Sequence, residues 1–264
     1  MRHSFSKYAL ISGLILSLAV VIVYRRIFVQ PEVVLSIKDL PAPNHSLWTL
    51  ELQKYVDEDG WVNYAAWQQD QQGLNDYLAI LATQLPAESW TREEQLAYWI
   101  NAYNAFTVKL ILDHYPLHSI EELHGIPYVN TVFHKEWFEL GGMAMSLNRI
   151  EHGVLRQQFQ EPRIHAAINC ASVSCPPLQS VAFLPETMDQ QLEIVMRSFV
   201  NDPLRNRLSP EEVEISSIFR WFRGDFTQNG NIISFLNQYV DVPISPDADV
   251  RYLTYDWNLN EVRR

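Results

Sequence analysis

The residues best suited to chemistry lie in one block, RIHAAINCASVSCPPL at 163–178, which holds both cysteines of the chain. Seven of its side chains carry reactive or polar groups, namely Arg163, His165, Asn169, Cys170, Ser172, Ser174 and Cys175. A thiol with an ordinary pKa of about 8.5 is mostly protonated at neutral pH, so it needs an imidazole or another positive group nearby to become a nucleophile. The block therefore predicts a site where thiol, imidazole, amide and hydroxyl groups meet.

The two cysteines admit several interpretations. In the first, the chain is a non-catalytic binding or scaffold domain in which Cys170 and Cys175 form a structural disulfide, worth about 2 kcal/mol by loop entropy for so small a ring. In the second, one of them is the nucleophile of a thiol hydrolase or acyltransferase. In the third, the pair cycles between dithiol and disulfide, although C-x4-C is not the C-x-x-C of thioredoxin-like proteins. A zinc site is a fourth, for which this spacing is a weak ligand pattern.

The nucleophile hypothesis requires partners from other segments. His152 and Arg156 lie one helical turn apart in SLNRIEHGVLRQQF, whose helix leads into the cysteine block. Either histidine would activate a thiol, Arg156 would add a positive field, and an asparagine would orient the ring or bind an oxyanion, as in Cys-His-Asn enzymes. We predict as catalytic Cys170, Cys175, His165, His152 and Asn169, and as supporting Arg156, Asn101, Asn104 and Ser174.

The best defined element is a helix predicted over 92–114. Thr91 and Glu94 form a T-x-x-E capping box, and apolar residues follow at helical spacing. Asn101 and Asn104 lie one turn apart inside this helix and need hydrogen-bond partners if they are buried. They either tie loops to the core or face the loop after Asn169 and orient its groups.

The other segments alternate between helices and hairpins. Ile164, Ala166 and Ile168 recur at period two, which predicts a strand over 163–169 that ends before Pro176-Pro177. Further helices are expected at 47–56, 64–85, 146–159, 184–200, 218–222 and 232–240, hairpins at 55–64, 137–147 and 208–217, and a closing strand at 250–260. No β-α-β rhythm occurs, so we predict a helix-rich α+β fold with a small, mostly antiparallel sheet.

The N-terminus contains a continuous apolar run, ALISGLILSLAVVIV at 9–23, flanked by basic residues. The run is just long enough to span a bilayer, and apolar residues follow its small-residue pair, which favours an uncleaved anchor over a cleaved signal peptide. We predict a transmembrane helix within 1–27, a proline-containing linker at 28–46 and a single globular domain at 47–264. The expected location is the bacterial inner membrane, with the domain in the periplasm.

The charge balance limits the classes of partner. The chain has 20 basic and 31 acidic residues, and four of the basic ones precede the first acid. So acidic a domain has no electrostatic reason to bind nucleic acid. A Gly-rich phosphate loop, H-E-x-x-H and G-x-S-x-G do not occur in the sequence, so no cofactor is expected. The predicted partners are the membrane, through the N-terminal helix, and a small-molecule or peptide substrate; no oligomeric state is predicted.

Five segments carry a family resemblance: YVDEDGWVNY at 55–64, AYWINAYNAFTVKLILDHYP at 97–116, SLNRIEHGVLR at 146–156, the block at 163–178 and YLTYDWNLN at 252–260. Together they resemble the family known as domain of unknown function 547, from about residue 45 onward. Asn148-Arg149 departs from the acidic residues that are commoner there. The resemblance implies one domain and an envelope location in bacteria, and it supplies no substrate.

Overall fold

The structure is a computed structural model that describes residues 40–125 and 131–262. The predicted membrane anchor at 1–27 and most of the linker at 28–46 lie outside the described residues. Within the part that the structure describes, no helix combines the length and the apolar character that crossing a bilayer requires.

Helices form the first part of the described chain. They are α1 (Ser46–Tyr55), α2 (Tyr64–Gln69), α3 (Gln72–Thr83) and α4 (Arg92–His114). The single helix predicted over 64–85 is wrong, because the chain leaves the helix between α2 and α3. This break lets Trp67 of α2 stack on Tyr55 of α1, while α3 also packs against α1.

Helix α4 begins as predicted. The Thr91 hydroxyl accepts a hydrogen bond from the Glu94 N–H, and the Glu94 carboxylate accepts one from the Thr91 N–H at 2.7 Å. Most of the helix is buried, on all of its faces. Asn101 and Asn104 therefore lie in the protein interior.

A hairpin follows two short 3₁₀ helices, Ile120–Leu123 and Val132–His134. Its strands β1 (Phe138–Leu140) and β2 (Met143–Met145) pair antiparallel. The turn consists of Gly141 and Gly142, with φ of 58° and 77°. Only glycine adopts such φ angles at little cost, so the predicted hairpin at Gly141-Gly142 is confirmed.

The next helical run contains an irregular turn. Ser146 caps α5 (Leu147–Ile150) by accepting a hydrogen bond from the Arg149 N–H at 3.1 Å. A π-helical turn, Glu151–Leu155, follows and leads into α6 (Arg156–Phe159). The predicted helix is confirmed, but its wide turn was not predicted. Such turns are rare and occur frequently at functional sites.

The strand predicted over 163–169 is wrong, because the chain forms a single helical turn, α7 (Ile164–Ala167), at this place. The Ile168 N–H donates to the Ile164 carbonyl at 3.0 Å, which closes that turn. Residues four apart share one face of a helix, and residues two apart share one face of a strand. Ile164 and Ile168 satisfy both patterns, so their spacing alone did not decide between the two structures.

The last part of the described chain combines helices with a three-stranded sheet. Its elements are a 3₁₀ turn (Pro185–Thr187), α8 (Met188–Asn201), β3 (Arg207–Leu208), β4 (Glu212–Ile215), α9 (Ser217–Trp221), α10 (Arg223–Phe226), α11 (Ile232–Leu236) and β5 (Asp249–Tyr252). The predicted hairpin forms β3 and β4, whereas β5 pairs parallel to β4. The helix-rich α+β fold with small sheets is thereby confirmed, while the predicted closing strand at 250–260 is limited to β5 and isolated bridges near its end.

Candidate functional site

Cys170 and Cys175 form a disulfide, with their Cα atoms 6.0 Å apart. Neither cysteine of the chain is therefore free. Both lie in the loop that follows α7, at residues 168–175. We refer to residues 170–175 as the disulfide loop.

The two sulfurs have different surroundings. Cys170 is half-buried, and its Sγ lies 3.2 Å from the Tyr255 hydroxyl and 3.3 Å from the Ser172 hydroxyl. Cys175 is only 2% exposed, and its Sγ accepts the backbone N–H of Cys170 at 2.7 Å. A hydrogen-bond donor stabilises a thiolate and lowers the pKa of the thiol. Each sulfur therefore has donors in place for the charge it would carry after reduction.

Asn169 holds the disulfide loop closed. Its side-chain oxygen accepts the Ala171 N–H at 2.8 Å, and its side-chain amide donates to the Pro176 carbonyl at 2.8 Å. Ala171 has a φ of 60°, in the left-handed region that a residue with a side chain rarely adopts. The bond from Asn169 supports this strained backbone.

The two asparagines of α4 bind backbone groups. Asn104 accepts the Asn169 N–H at 2.8 Å and donates to the Ala167 carbonyl at 2.9 Å. Asn101 makes the same pair of contacts with the backbone of Phe183. Asn101 thus ties a loop to the core, whereas Asn104 also positions Asn169, so each of the two predicted roles describes one of the asparagines.

The C-terminal segment lies along the disulfide loop. Ser174 exchanges two hydrogen bonds with the backbone of Asp256, at 2.8 and 3.1 Å. The Val173 N–H donates to the Asn258 carbonyl at 2.8 Å. These contacts hold the segment that brings the Tyr255 hydroxyl to the Cys170 sulfur, so Ser174 acts as a support for Tyr255.

A buried guanidinium lies beside Cys175. Arg205 is 7% exposed, forms an ion pair with Asp202, and donates its Nε–H to the Cys175 carbonyl at 2.5 Å. Arg205, Ser174 and Tyr255 also line one side of a small cavity next to the disulfide loop. A positive group thus lies at the backbone of Cys175, and it belongs to Arg205, whereas the predicted Arg156 binds Asp225.

The two predicted histidines lie in another group of polar side chains. We refer to His152, His165, Arg156, Asp225 and Glu151 as the second cluster. His165 is 2% exposed, its Nε2 lies 2.8 Å from an Asp225 oxygen, and its ring stacks on Phe222 with the ring centroids 4.0 Å apart. Its Nδ1 faces the Glu151 carboxylate at 3.8 Å. Because Asp225 accepts the Nε2 proton of the neutral ring, Nδ1 presents its lone pair to Glu151.

Arg156 connects this cluster. Its Nε and Nη2 bind the two oxygens of Asp225 at 2.5 and 2.8 Å, and its Nη1 lies 2.6 Å from Nδ1 of His152. Arginine is always a donor, so Nδ1 of His152 accepts and the ring proton lies on Nε2. The N–H groups of Arg156 thus bind Asp225 and His152, and none of these three hydrogen bonds goes to a sulfur.

Burial and neighbouring charges shift the pKa values in the cluster. Burial raises the pKa of Glu151 to about 7, although Arg156 opposes the rise. Burial, reinforced by Arg156, lowers the pKa of His152 to about 3. Burial also lowers the pKa of His165, against the effect of Asp225. Both histidines are therefore neutral at pH 7, while Glu151 populates both of its protonation states.

Two tyrosines accompany these groups: Tyr255 lies at the Cys170 sulfur, and Tyr103 at the Glu151 carboxyl. The Tyr103 hydroxyl interacts with the Glu151 carboxylate, and Tyr103 also interacts electrostatically with Tyr255. Burial raises the pKa of both hydroxyls above the ordinary value for tyrosine.

The predicted residues divide between these two places. The disulfide loop and its supports contain Cys170, Cys175, Asn169, Asn101, Asn104 and Ser174, and the second cluster contains His152, His165 and Arg156. The hydrogen bonds of the two rings go to Asp225 and Arg156 rather than to sulfur. The catalytic roles assigned to these residues stay predictions.

Several residues of the site were not predicted: Tyr103, Glu151, Arg205, Asp225 and Tyr255. Glu151 had one local signal, its place beside His152. Asp225 and Tyr255 lie 60 and 85 residues from the partners they bind, His165 and Cys170. No pattern within a short window connects residues so far apart.

Comparison with known proteins gives one match. Residues 87–200 match a family model described as "Protein of unknown function, DUF547". This range includes α4, the π-helical turn and the disulfide loop, and it ends before Asp225 and Tyr255. No curated protein and no solved structure matches the chain.

Proposed function

Residues 87–200 match the DUF547 family of proteins of unknown function. We propose that the domain that contains them exchanges electrons with dithiols through Cys170 and Cys175. The observation that carries the proposal is the asymmetry of the pair. Cys170 is half-buried and Cys175 is buried, and each sulfur has its own hydrogen-bond donor. Thiol–disulfide exchange is fast when a thiolate can reach one sulfur of the disulfide and the other sulfur leaves as a stabilised thiolate.

The reaction proceeds in two exchange steps. A substrate thiolate attacks the Cys170 sulfur, a substrate–Cys170 bond forms, the Cys170–Cys175 bond breaks, and its electron pair leaves on Cys175. A second thiolate of the same substrate then attacks the substrate sulfur of the mixed disulfide, and Cys170 leaves. The substrate dithiol is oxidised to a disulfide, the protein pair is reduced, and two protons pass from substrate thiols to the cysteines. Another disulfide restores the pair by the same steps in reverse.

The contacts at each sulfur support its role. A leaving thiolate departs faster when its pKa is low. The Cys170 N–H stabilises a charge on Cys175, and the Arg205 guanidinium adds a positive field there. The Tyr255 hydroxyl does the same for Cys170 in the second step, and it in turn accepts the Ser172 hydroxyl.

Thiol hydrolysis and acyl transfer fit this arrangement less well. Both reactions need a free thiolate, whereas both sulfurs are in the disulfide. Both also need a base beside the thiol, and the rings of His152 and His165 bind Arg156 and Asp225. Exchange begins from the disulfide and uses the site as it is, so we favour it over the hydrolase and over a scaffold role.

The proposed chemistry suits an oxidising compartment. Disulfides persist in the bacterial periplasm and are rare in the cytosol. The apolar run at 9–23 supports an N-terminal membrane anchor. We therefore propose that the domain works in the periplasm, attached to the inner membrane.

The test compares the two single-cysteine variants of the full chain. Cys175→Ser leaves Cys170 free, and we expect it to form a mixed disulfide with glutathione disulfide, detected by mass spectrometry. Cys170→Ser leaves the buried Cys175, and we expect its reaction to be at least about 10-fold slower because the sulfur is shielded. Circular dichroism checks that both variants fold, since losing the crosslink costs only about 2 kcal/mol.

Two results would contradict the proposal. Equal rates for the two variants would remove the asymmetry on which it depends. A wild-type disulfide that dithiothreitol reduces only after urea unfolds the domain would instead identify Cys170–Cys175 as a structural crosslink.

A further inference from the structure

Two large apolar side chains are exposed beside the accessible sulfur of the disulfide loop. Trp221 of α9 is 44% exposed, and its ring centroid lies 4.7 Å from that of Tyr255. Leu204, in the turn before β3, is 70% exposed and lines the same small cavity as Tyr255. The Tyr255 hydroxyl in turn lies 3.2 Å from the Cys170 Sγ. Single exposed apolar residues are ordinary, but a cluster of them marks an interaction site.

A second tryptophan extends this cluster along the C-terminal segment. Trp257 is half-buried, and its ring centroid lies 4.5 Å from that of Tyr255 and 5.9 Å from that of Trp221. The two indole planes are 19° apart, so the tryptophans stack. We refer to Leu204, Trp221, Tyr255 and Trp257 as the apolar surface. Tryptophan and tyrosine are the residues on which binding energy most often concentrates.

The charged groups next to the apolar surface bind other groups of this chain. The buried guanidinium of Arg205 pairs with Asp202. The Asp256 carboxylate accepts two N–H groups of the residue two positions further on, at 2.9 and 2.7 Å. The Arg220 guanidinium lies over the ring of Tyr252, 5.7 Å from its centroid. Each of these charges has a partner within the chain, so the surface offers a ligand mainly rings and alkyl groups.

We propose that the apolar surface binds a polypeptide substrate that carries an apolar side chain close to the cysteine that attacks Cys170. The inference deepens the proposed function and rests on it, because it names the class of dithiol. In an extended peptide, side chains two positions apart lie on the same side, about 7 Å from each other. A substrate cysteine at the Cys170 sulfur therefore brings such a neighbour past the Tyr255 hydroxyl and onto the rings.

A polypeptide fits the apolar surface better than a small thiol does. Dithiothreitol and glutathione have no apolar side chain beside the sulfur, so they leave the rings and Leu204 in water. A polypeptide reaches Cys170 and covers the surface at the same time. The bonds that form and break are those of the two exchange steps, and the surface adds binding energy away from the sulfurs, which holds the attacking thiolate in place.

The test measures the initial rate at which three dithiols reduce the Cys170–Cys175 disulfide of the folded full chain at pH 7, read by mass spectrometry after acid quenching. Two are synthetic peptides with two cysteines that differ only two positions from the first cysteine, where one has leucine and the other serine. The third is dithiothreitol. We expect the leucine peptide to react at least about 10-fold faster than the serine peptide, because burial of one large apolar side chain is worth about that factor.

Variants of the apolar surface locate the effect. Trp221→Ala should slow the leucine peptide about 10-fold and leave the rates of the serine peptide and dithiothreitol unchanged. Leu204→Ser should act in the same direction, about 3-fold, and its exposed position makes it safe for folding. Ile194→Ala is the matched control, since Ile194 is 55% exposed on α8, outside the apolar surface, and all three rates should stay as in the wild type.

The outcomes separate the inference from the proposed function. Equal wild-type rates for the leucine and serine peptides would overturn the inference and leave dithiol exchange standing. So would losses in Trp221→Ala and Leu204→Ser that are as large for dithiothreitol as for the leucine peptide. A folded disulfide that none of the three dithiols reduces would overturn the proposed function, and the inference with it.

Discussion

Asp225 shows how one side chain organises the second cluster. Its two oxygens accept three N–H groups, two from Arg156 and one from His165. Burial by itself would raise the pKa of Asp225, but Arg156 and His165 outweigh burial and hold that pKa below its ordinary range. The carboxylate thereby joins α6, α7 and α10 at one point.

Asp225→Asn is expected to lower the free energy of unfolding at pH 7 by about 2–3 kcal/mol, because Arg156 loses its charged partner and His165 its strongest acceptor. Urea denaturation measures this difference. A lowered folded-state pKa stabilises the fold above the unfolded value of about 3.9, and this stabilisation is lost as the pH falls below it. The wild type and the variant should therefore converge in acid.

The matched control is Asp189→Asn, since Asp189 also binds an arginine, Arg163, but has a side chain that is 88% exposed. Exposed ion pairs contribute little, so a change within about 0.5 kcal/mol is expected. Equal losses for Asp225→Asn and Asp189→Asn would mean that the buried contacts of Asp225 do not stabilise the fold.

Among the elements, α4 is the one whose start is defined by local chemistry. The capping box satisfies two backbone N–H groups that have no partner within the helix, and Glu93 and Glu94 place negative charge at the positive end of the helix dipole. The side chains needed for this lie within four residues. The sequence alone was therefore sufficient to place the helix start.

Thr91→Ala is expected to lower the free energy of unfolding by about 1 kcal/mol, since it removes the hydroxyl that accepts the Glu94 N–H. Thr187→Ala is the control, because Thr187 occupies the same position before α8 without a side-chain capping bond. Urea denaturation of both variants makes the comparison. A loss for Thr187→Ala as large as that for Thr91→Ala would show that capping is not the cause.

Two short elements did not follow from local pattern. The turn α7 is four residues long, and its apolar spacing suits a strand equally well. The π-helical turn Glu151–Leu155 is five residues long, and its backbone hydrogen bonds span one residue more than those of an α-helix. Packing of the site around Glu151 and His165, rather than propensity, decides both structures.

At the scale of the whole molecule, the C-terminal segment joins distant parts of the chain. Single β-bridges pair Asn258 with Ser119, Leu259 with Ser172, and Glu261 with Val62. The Tyr64 hydroxyl, in α2, donates to the side chain of Asn260 at 2.9 Å across 196 residues of sequence. The same segment holds Tyr255 at the disulfide, so the integrity of the site depends on this packing.

Asn260→Ala is expected to lower the free energy of unfolding by about 1–3 kcal/mol, because the buried Tyr64 hydroxyl loses its acceptor. Asn258→Ala is the control, since the Asn258 side chain is exposed and donates to the neighbouring Asp256. Urea denaturation compares the two. If the variants lose the same amount, the Tyr64–Asn260 bond does not tie the segment to the domain.

By itself the sequence determined the features that depend on nearby residues: the helix-rich α+β class, the cap of α4, the glycine hairpin, and the loop that carries both cysteines. It left open whether the two cysteines form a disulfide, and it predicted that His152 or His165 lies beside a cysteine sulfur. Only the tertiary structure decided that His165 binds Asp225, 60 residues away, and that Tyr255 meets Cys170 across 85. Caps and turns satisfy backbone groups within one turn of chain, whereas buried side chains take their partners from whichever elements the packed core brings together.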